Sequence, residues 1–162
     1  MVIIKFMIIT DIIWGKISIK DKETVELIKH PAMQRLKKIW ISAYGYLFEQ
    51  KRSSTRFEHS IGVYYLLKHF NADFAEQVAG LIHDISHTAF SHVSTYVLQD
   101  KWQENDLHEQ FQHEFIIKSG LKDLLNKIGF DEEQLLHTDK WSLLENKLPD
   151  ICADRLDYTI RD

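Results

Sequence analysis

The chain has 162 residues, of which 44% are hydrophobic and 12% aromatic, and its formal net charge is −4. This length suits one domain with a buried core, and the apolar content excludes an intrinsically disordered chain. A general nucleic-acid surface or an anionic-membrane patch would need an excess of Lys and Arg. The sequence therefore predicts a single domain over residues 1–162, with no membrane partner and no broad nucleic-acid partner.

The N-terminus and the cysteine count indicate the cellular compartment of the protein. The apolar stretch Met1–Thr10 is too short to span a membrane, and it lacks the basic start and cleavage site of a signal peptide. The single cysteine, Cys152, cannot form an intramolecular disulfide. We therefore expect a cytoplasmic protein in a reducing environment.

Hydrophobic spacing predicts an all-α domain after a short β element. In the N-terminal arm (residues 1–20), Ile8 to Ile19 alternates weakly about Trp14-Gly15, which predicts a β-hairpin. From Asp21 onward the apolar spacing becomes helical. The predicted helices are Thr24–His30, Pro31–Trp40, Phe57–Phe70, Asp73–Asp84, Ala89–Leu98, Gln110–Ser119, Leu121–Ile128, Glu132–His137, Trp141–Glu145 and Asp150–Asp162.

Four side chains on three predicted helices form a candidate metal site. His59 begins one helix, His83 and Asp84 end the next, and Asp154 lies on the last. Two antiparallel helices joined by a short turn bring such ends together. Each residue alone has an ordinary alternative, as a core or surface histidine or as a capping aspartate. The apolar run before residue 83 would bury the His-Asp pair, and a buried carboxylate needs a cation or strong hydrogen bonds. Imidazole and carboxylate together suit Mn²⁺, Fe²⁺, Zn²⁺, Ni²⁺ or Mg²⁺.

Four segments resemble, in order, the motifs of HD-domain phosphohydrolases. They are Arg56-Phe-Glu-His-Ser60, Ala79-Gly-Leu-Ile-His-Asp84, Ser86-His-Thr-Ala-Phe-Ser-His92 and Ala153-Asp-Arg-Leu-Asp-Tyr158. With Met33-Gln-Arg-Leu36 ahead of them, the resemblance covers about residues 11–162. The branch includes the deoxynucleoside triphosphate triphosphohydrolases, and within it the chain looks most like uncharacterised bacterial and fungal HD-domain proteins. The resemblance implies an HD-domain helical bundle with the small N-terminal hairpin.

Carried over position by position, the resemblance implies a role for each matching residue. The implied metal ligands are His59, His83, Asp84 and Asp154. The implied substrate contacts are Arg56 and Arg155 to phosphate, and Tyr158 and Asp162 to the nucleotide sugar. The implied acid–base groups are His87 and the family's His-Glu motif, which matches either His108-Glu109 or His113-Glu114. The ordinary alternatives are a solvated histidine at 108 or 113, a core tyrosine at 158, and a surface ion pair of Arg155 with Asp157 or Glu145.

Two departures from the family pattern bear on activity. Thr95 stands where relatives often have a carboxylate, and the chain stops at Arg161-Asp162 inside a predicted helix. We therefore expect either a piece of a longer protein or an unusually short member.

The leading hypothesis is a metal-dependent phosphohydrolase acting on a nucleotide or related phosphate ester, with a metal-activated water attacking phosphorus. The alternative is a catalytically weak or inactive nucleotide-binding regulatory module. A third interpretation is an assembly domain without a metal. The sequence is compatible with a homo-oligomer and determines neither the metal nor the bond that is cleaved.

Overall fold

The fold is a set of helices preceded by a two-stranded hairpin. A computed structural model describes residues 6–42, 53–89, 106–137 and 140–161, with only the backbone at 106–110. Strands β1 (Met7–Asp11) and β2 (Gly15–Ile19) pair antiparallel. The helices are α1 (Lys22–Lys29), α2 (Pro31–Arg35) with a 3-10 turn (Leu36–Lys38), α3 (Arg56–His69), α4 (Phe74–Ile82), α5 (Asp106–Lys118), α6 (Leu121–Lys127), α7 (Glu132–Leu136) and α8 (Ala153–Arg161). The predicted all-α fold with a small N-terminal hairpin is confirmed.

The hairpin turn is closed by the last residue of β1. Asp11 Oδ1 accepts hydrogen bonds from the backbone N–H groups of Ile13 at 2.8 Å and Trp14 at 2.9 Å. Gly15 completes the turn at a φ of 72°, in the left-handed region that glycine adopts without a steric penalty. Ile17 of β2 faces the core and is buried. The hairpin therefore packs on the helices through one face, to which Met7 and Ile9 of β1 also contribute.

Helix α3 lies at the centre of the domain and carries His59 in its first turns. A capping box starts the helix: Thr55 Oγ1 accepts from the backbone N–H of Glu58 at 3.2 Å, and Glu58 Oε2 accepts from that of Thr55 at 2.7 Å. The helix packs against α4 and α8. Fully buried side chains such as Ile61 and Tyr64 join it to the core. His59 is thereby held inside the protein, 1% exposed.

Helix α4 ends directly before the His-Asp pair. Asp73 caps its start by accepting from the backbone N–H of residue 76 at 2.8 Å, and the last helical residue is Ile82. The predicted helix extended to Asp84, whereas His83 and Asp84 lie in the turns that follow. Gln112 of α5 donates its amide N–H groups to the carbonyl oxygens of Ile82 at 3.3 Å and His83 at 2.9 Å. Helix α5 thus holds these turns in place.

The helix predicted over Trp141–Glu145 is wrong, because these residues form a turn. Glu76 of α4 accepts from the backbone N–H groups of Leu143 at 2.8 Å and Leu144 at 2.9 Å. The N–H of Ala153 donates to the carbonyl of Leu143 at 2.8 Å, so α8 begins against this turn, somewhat later than predicted. A buried carboxylate from α4 therefore positions the start of the helix that carries Asp154.

Some predictions fall outside the described residues. They include most of the helix predicted over Ala89–Leu98, with Thr95 in it, and the terminal Asp162. Among the helices that the structure describes, none has the length and apolar character needed to cross a membrane.

Candidate metal centre

Three predicted ligands from separate parts of the fold bring their donor atoms together. His59 Nε2 lies 3.2 Å from His83 Nε2 and 2.8 Å from Asp154 Oδ1, and His83 Nε2 lies 3.3 Å from the same oxygen. The donors come from α3, from the residue after α4 and from the first turn of α8. Atoms this close can share one cation.

Asp84 borders the same point and is held by two further predicted site residues. Its Oδ2 lies 3.7 Å from His59 Nε2, and its Oδ1 lies 3.6 Å from His83 Nε2. Arg56 Nη1 donates to Oδ2 at 2.7 Å, and His87 Nε2 lies 3.0 Å from Oδ1. All five side chains are buried or nearly so. The structure therefore groups His59, His83 and Asp154 as the converging donors and places Asp84, with Arg56 and His87, directly beside them.

The second nitrogen of each imidazole is already engaged. His59 Nδ1 lies 2.8 Å from Asp157 Oδ2, and His83 Nδ1 lies 2.7 Å from the carbonyl oxygen of Gly80. A carbonyl or an ionised carboxylate can only accept a hydrogen bond, so both Nδ1 atoms carry hydrogen. In the neutral imidazoles, Nε2 then presents a lone pair, and two lone pairs meet at 3.2 Å beside a carboxylate. A cation bound between them removes the repulsion, so this donor set fits a divalent metal.

The charges around the site favour a cation in the same way. Burial opposes protonation of His83, but the charges of Asp84 and Asp154 raise its pKa to about 9. The pKa of His59 is also raised against burial, by its hydrogen bonds to Asp154 and Asp157. Burial opposes ionisation of Asp84 and Asp154, yet neighbouring positive groups lower the pKa of both. In the metal-free protein at neutral pH, the proton on His83 Nε2 therefore occupies the position that suits a metal ion.

Two predicted substrate residues on α8 point elsewhere or lie at the surface. Arg155 Nη2 contacts Glu145 Oε1 at 3.2 Å and the carbonyl of Asn146 at 3.0 Å, and Nη1 also donates to the carbonyl of Asp150. Of the two alternative surface pairs, the structure forms the one with Glu145. Tyr158 is 38% exposed. The structure therefore does not bring Arg155 into the cluster.

The His-Glu alternatives on α5 remain open. His113 Nε2 lies 3.7 Å from Glu132 Oε1 of α7, so its side chain is directed to that helix. His108 falls where only the backbone of α5 is described, and Asp162 is outside the described residues.

Asp157 is the site residue that sequence reasoning missed. Its side chain is fully buried, and it contacts His59 and Arg161. The available signal was its spacing from Asp154, since residues three apart share a helix face. Burial opposes ionisation of Asp157, but the hydrogen bonds with His59 and Arg161 keep its pKa below the ordinary value.

Comparison with known proteins identifies the family of this chain. The HD domain matches residues 56–162, and the chain belongs to this family. It is 46% identical to the uncharacterized protein YdhJ of Bacillus subtilis, over 96% of this chain and 47% of that protein. It is 36% identical to the metal-dependent phosphohydrolase cns2 of Cordyceps militaris (96% and 45%), and 28% identical to the deoxynucleoside triphosphate triphosphohydrolase SAMHD1 of Bos taurus (85% and 32%). The resemblance identified from the motifs is confirmed, and the chain spans about half the length of the first two relatives.

Proposed function

We propose that this chain carries the active site of a metal-dependent phosphohydrolase that acts on a nucleotide or a related phosphate ester. The observation that carries the proposal is the approach of His59 Nε2 and His83 Nε2 to 3.2 Å beside Asp154, with both Nδ1 atoms engaged elsewhere. Two relatives, a metal-dependent phosphohydrolase and a deoxynucleoside triphosphate triphosphohydrolase, support the reaction class.

In this proposal, His59, His83, Asp84 and Asp154 hold the ion. Two nitrogens and two carboxylates would suit several divalent metals, and a bound ion would take water and a phosphate oxygen as its remaining ligands. A divalent ion there supplies Lewis acidity and a water of lowered pKa to attack phosphorus. These donors come from α3, from the turn after α4 and from α8, and their short separations imply that the fold itself holds this geometry before substrate binds.

Arg56 and His87 are assigned to the phosphate because both already lie at Asp84. A guanidinium has several donors in a planar fork, so Arg56 can contact Asp84 and a phosphate oxygen together. His87 is buried with its Nε2 3.0 Å from Asp84 Oδ1, and in this proposal it would give a proton to the leaving oxygen. His108 and His113 stay as alternatives for further acid–base work.

Substrate contacts from α8 would complete the site. To reach a phosphate, Arg155 must release Glu145 and the carbonyl oxygens of Asn146 and Asp150. The half-exposed pair with Glu145 is worth only about 0–1 kcal/mol, and a charge-assisted bond to phosphate would replace the two bonds to carbonyl oxygens. Tyr158 lies one helical turn after Asp154, and its exposed ring can pack against a sugar. Asp162 is proposed to contact the same sugar.

The test is turnover by purified protein with Mn²⁺ against deoxynucleoside triphosphates, nucleoside monophosphates and a nitrophenyl phosphodiester. We expect activity that EDTA abolishes and that His83→Ala removes. His69→Ala is the matched control, since His69 is an exposed histidine at the far end of α3. Activity that survives His83→Ala combined with Asp84→Ala contradicts the proposal. Nucleotide binding without product favours the regulatory module.

A further inference from the structure

Four hydrogen bonds converge on the buried carboxylate of Asp157. Oδ2 accepts from His59 Nδ1 at 2.8 Å and from Arg161 Nε at 2.5 Å. Oδ1 accepts from Trp14 Nε1 at 2.5 Å and from Arg161 Nη2 at 3.1 Å. Each oxygen has about two acceptor sites, so the carboxylate is fully used and its orientation is determined by its donors.

The N-terminal hairpin supplies the far end of this network. Trp14 lies in the hairpin turn, and Asp11 ends β1. Asp11 Oδ2 accepts from Arg161 Nη2 at 2.9 Å, while its Oδ1 accepts from the Trp14 backbone N–H. The hairpin therefore meets Asp157 directly through an indole and indirectly through a guanidinium.

The network lies against the backbone of the helix that carries His59. A Cβ added to Gly62, three residues after His59 on α3, would be 1.9 Å from Asp157 Oδ1 and 2.4 Å from Arg161 Nη2. Only glycine permits so close an approach. Helix α3, helix α8 and the hairpin are thus joined at one buried charge cluster.

We propose that Asp157, Arg161, Trp14 and Asp11 position His59 for metal binding, so that the N-terminal hairpin is part of the metal site. The inference rests on the metal site in the proposed function. The carboxylates of Asp157 and Asp11 and the guanidinium of Arg161 together leave one net negative charge beside the His59 imidazole. An anionic acceptor at Nδ1 holds the hydrogen there and makes Nε2 a better metal donor.

The first test substitutes Trp14→Phe, which removes one donor to Asp157 and keeps an aromatic ring beside Tyr65. Zn²⁺ affinity of the metal-free protein, measured by competition with a chromophoric chelator, should fall by about tenfold or more. The matched control is Trp141→Phe, whose indole donates to the carbonyl of Leu135 at 3.3 Å. This control should retain the wild-type Zn²⁺ affinity.

The second test substitutes Asp157→Asn. In one orientation the amide NH₂ group would face the donors at Oδ1, which come from Trp14 and Arg161. In the other it would face the donors at Oδ2, which come from His59 and Arg161, and His59 would then have to carry its hydrogen on Nε2. Zn²⁺ affinity should fall roughly 10- to 100-fold. The ¹⁵N resonances of His59 in the Zn²⁺-loaded protein should show a protonated Nδ1 and a metal-bound Nε2 in the wild type, and loss of that pattern in the variant.

A network that only stabilises the fold would leave Zn²⁺ binding unchanged in these variants. Wild-type Zn²⁺ affinity and an unchanged His59 ¹⁵N pattern in both variants would overturn the inference, even if their thermal stability falls. If Zn²⁺ binding does not depend on His83, the inference fails together with the metal site. If Zn²⁺ affinity depends on His83, Asp157 and Trp14 but no phosphate ester is cleaved, the inference stands and the proposed reaction alone fails.

Discussion

Gly62→Ala should destabilise this protein, although replacing glycine by alanine inside a helix ordinarily stabilises it. Alanine in a helix interior is normally more favourable than glycine by about 1 kcal/mol. At this position the new methyl group would lie 1.9 Å from Asp157 Oδ1, although ordinary contact begins near 3.4 Å. The carboxylate must therefore retreat by about 1.5 Å, because the helix backbone at Gly62 is held in the core.

That displacement breaks hydrogen bonds rather than stretching them. The bonds that Oδ1 accepts from Trp14 Nε1 and Arg161 Nη2 would exceed hydrogen-bonding range, and the 2.8 Å bond from His59 Nδ1 to Oδ2 of the same carboxylate would be disturbed with them. Breaking a buried charged pair costs about 3–5 kcal/mol, and the gain in helix propensity offsets about 1 kcal/mol. We expect the free energy of unfolding to fall by about 2–4 kcal/mol.

Urea unfolding and Zn²⁺ titration together test this reasoning. Leu67→Ala is the control, because Leu67 is fully buried on α3 two turns beyond His59. This variant should lower the free energy of unfolding by about 2–5 kcal/mol. The control should keep its Zn²⁺ affinity, whereas Gly62→Ala should lose both stability and affinity. A Gly62→Ala protein at least as stable as the wild type, with equal Zn²⁺ affinity, would refute the argument.

Three further predictions concern charge and helix positioning. The pKa of His83 is raised from 6.5 to about 9 in the metal-free protein, so its contribution to stability is complete below pH 6.5 and lost as the pH rises through 9. Zn²⁺ must displace the same proton, so Zn²⁺ affinity measured by competition should rise towards pH 9. Arg56→Ala leaves the buried Asp84 carboxylate without its 2.7 Å partner and should cost on the order of 3 kcal/mol in urea unfolding. Glu76→Ala removes the acceptor of two backbone N–H groups before α8 and should cost roughly 2–4 kcal/mol, measured as a lowered thermal midpoint.

Each of these predictions has an outcome that contradicts it. A Zn²⁺ affinity that stays constant from pH 6.5 to 9 would show that no proton on His83 competes with the metal. Unchanged unfolding of the Arg56→Ala protein would mean that the pair with Asp84 contributes nothing. Glu133→Ala is the control for Glu76→Ala, since its side chain is exposed, and equal midpoints for the two would remove the proposed role of Glu76.

Local patterns in the sequence were sufficient to predict most helices. The predicted Phe57–Phe70 and the observed Arg56–His69 differ by one residue at each end, because apolar spacing and the capping residues of α3 all lie within a few positions. The helix predicted over Trp141–Glu145 failed for the opposite reason. Its backbone N–H groups bond to Glu76, which lies 67 and 68 positions earlier in the chain. No local pattern contains that information.

The same division holds for the candidate site. Ordered motifs in the sequence were enough to select His59, His83, Asp84 and Asp154, whereas the role of Asp157 depends on partners 98 and 143 positions away in α3 and the hairpin. Asp154 and Asp157 are three residues apart and share the face of α8 that packs on α3, so both are drawn towards His59. Arg155 lies between them and is rotated away to the preceding turn. Sequence alone therefore determined which residues could bind a metal. The packing of α8 against α3 and the hairpin decided which charged side chains contact those residues, because that packing brings together side chains from opposite ends of the chain.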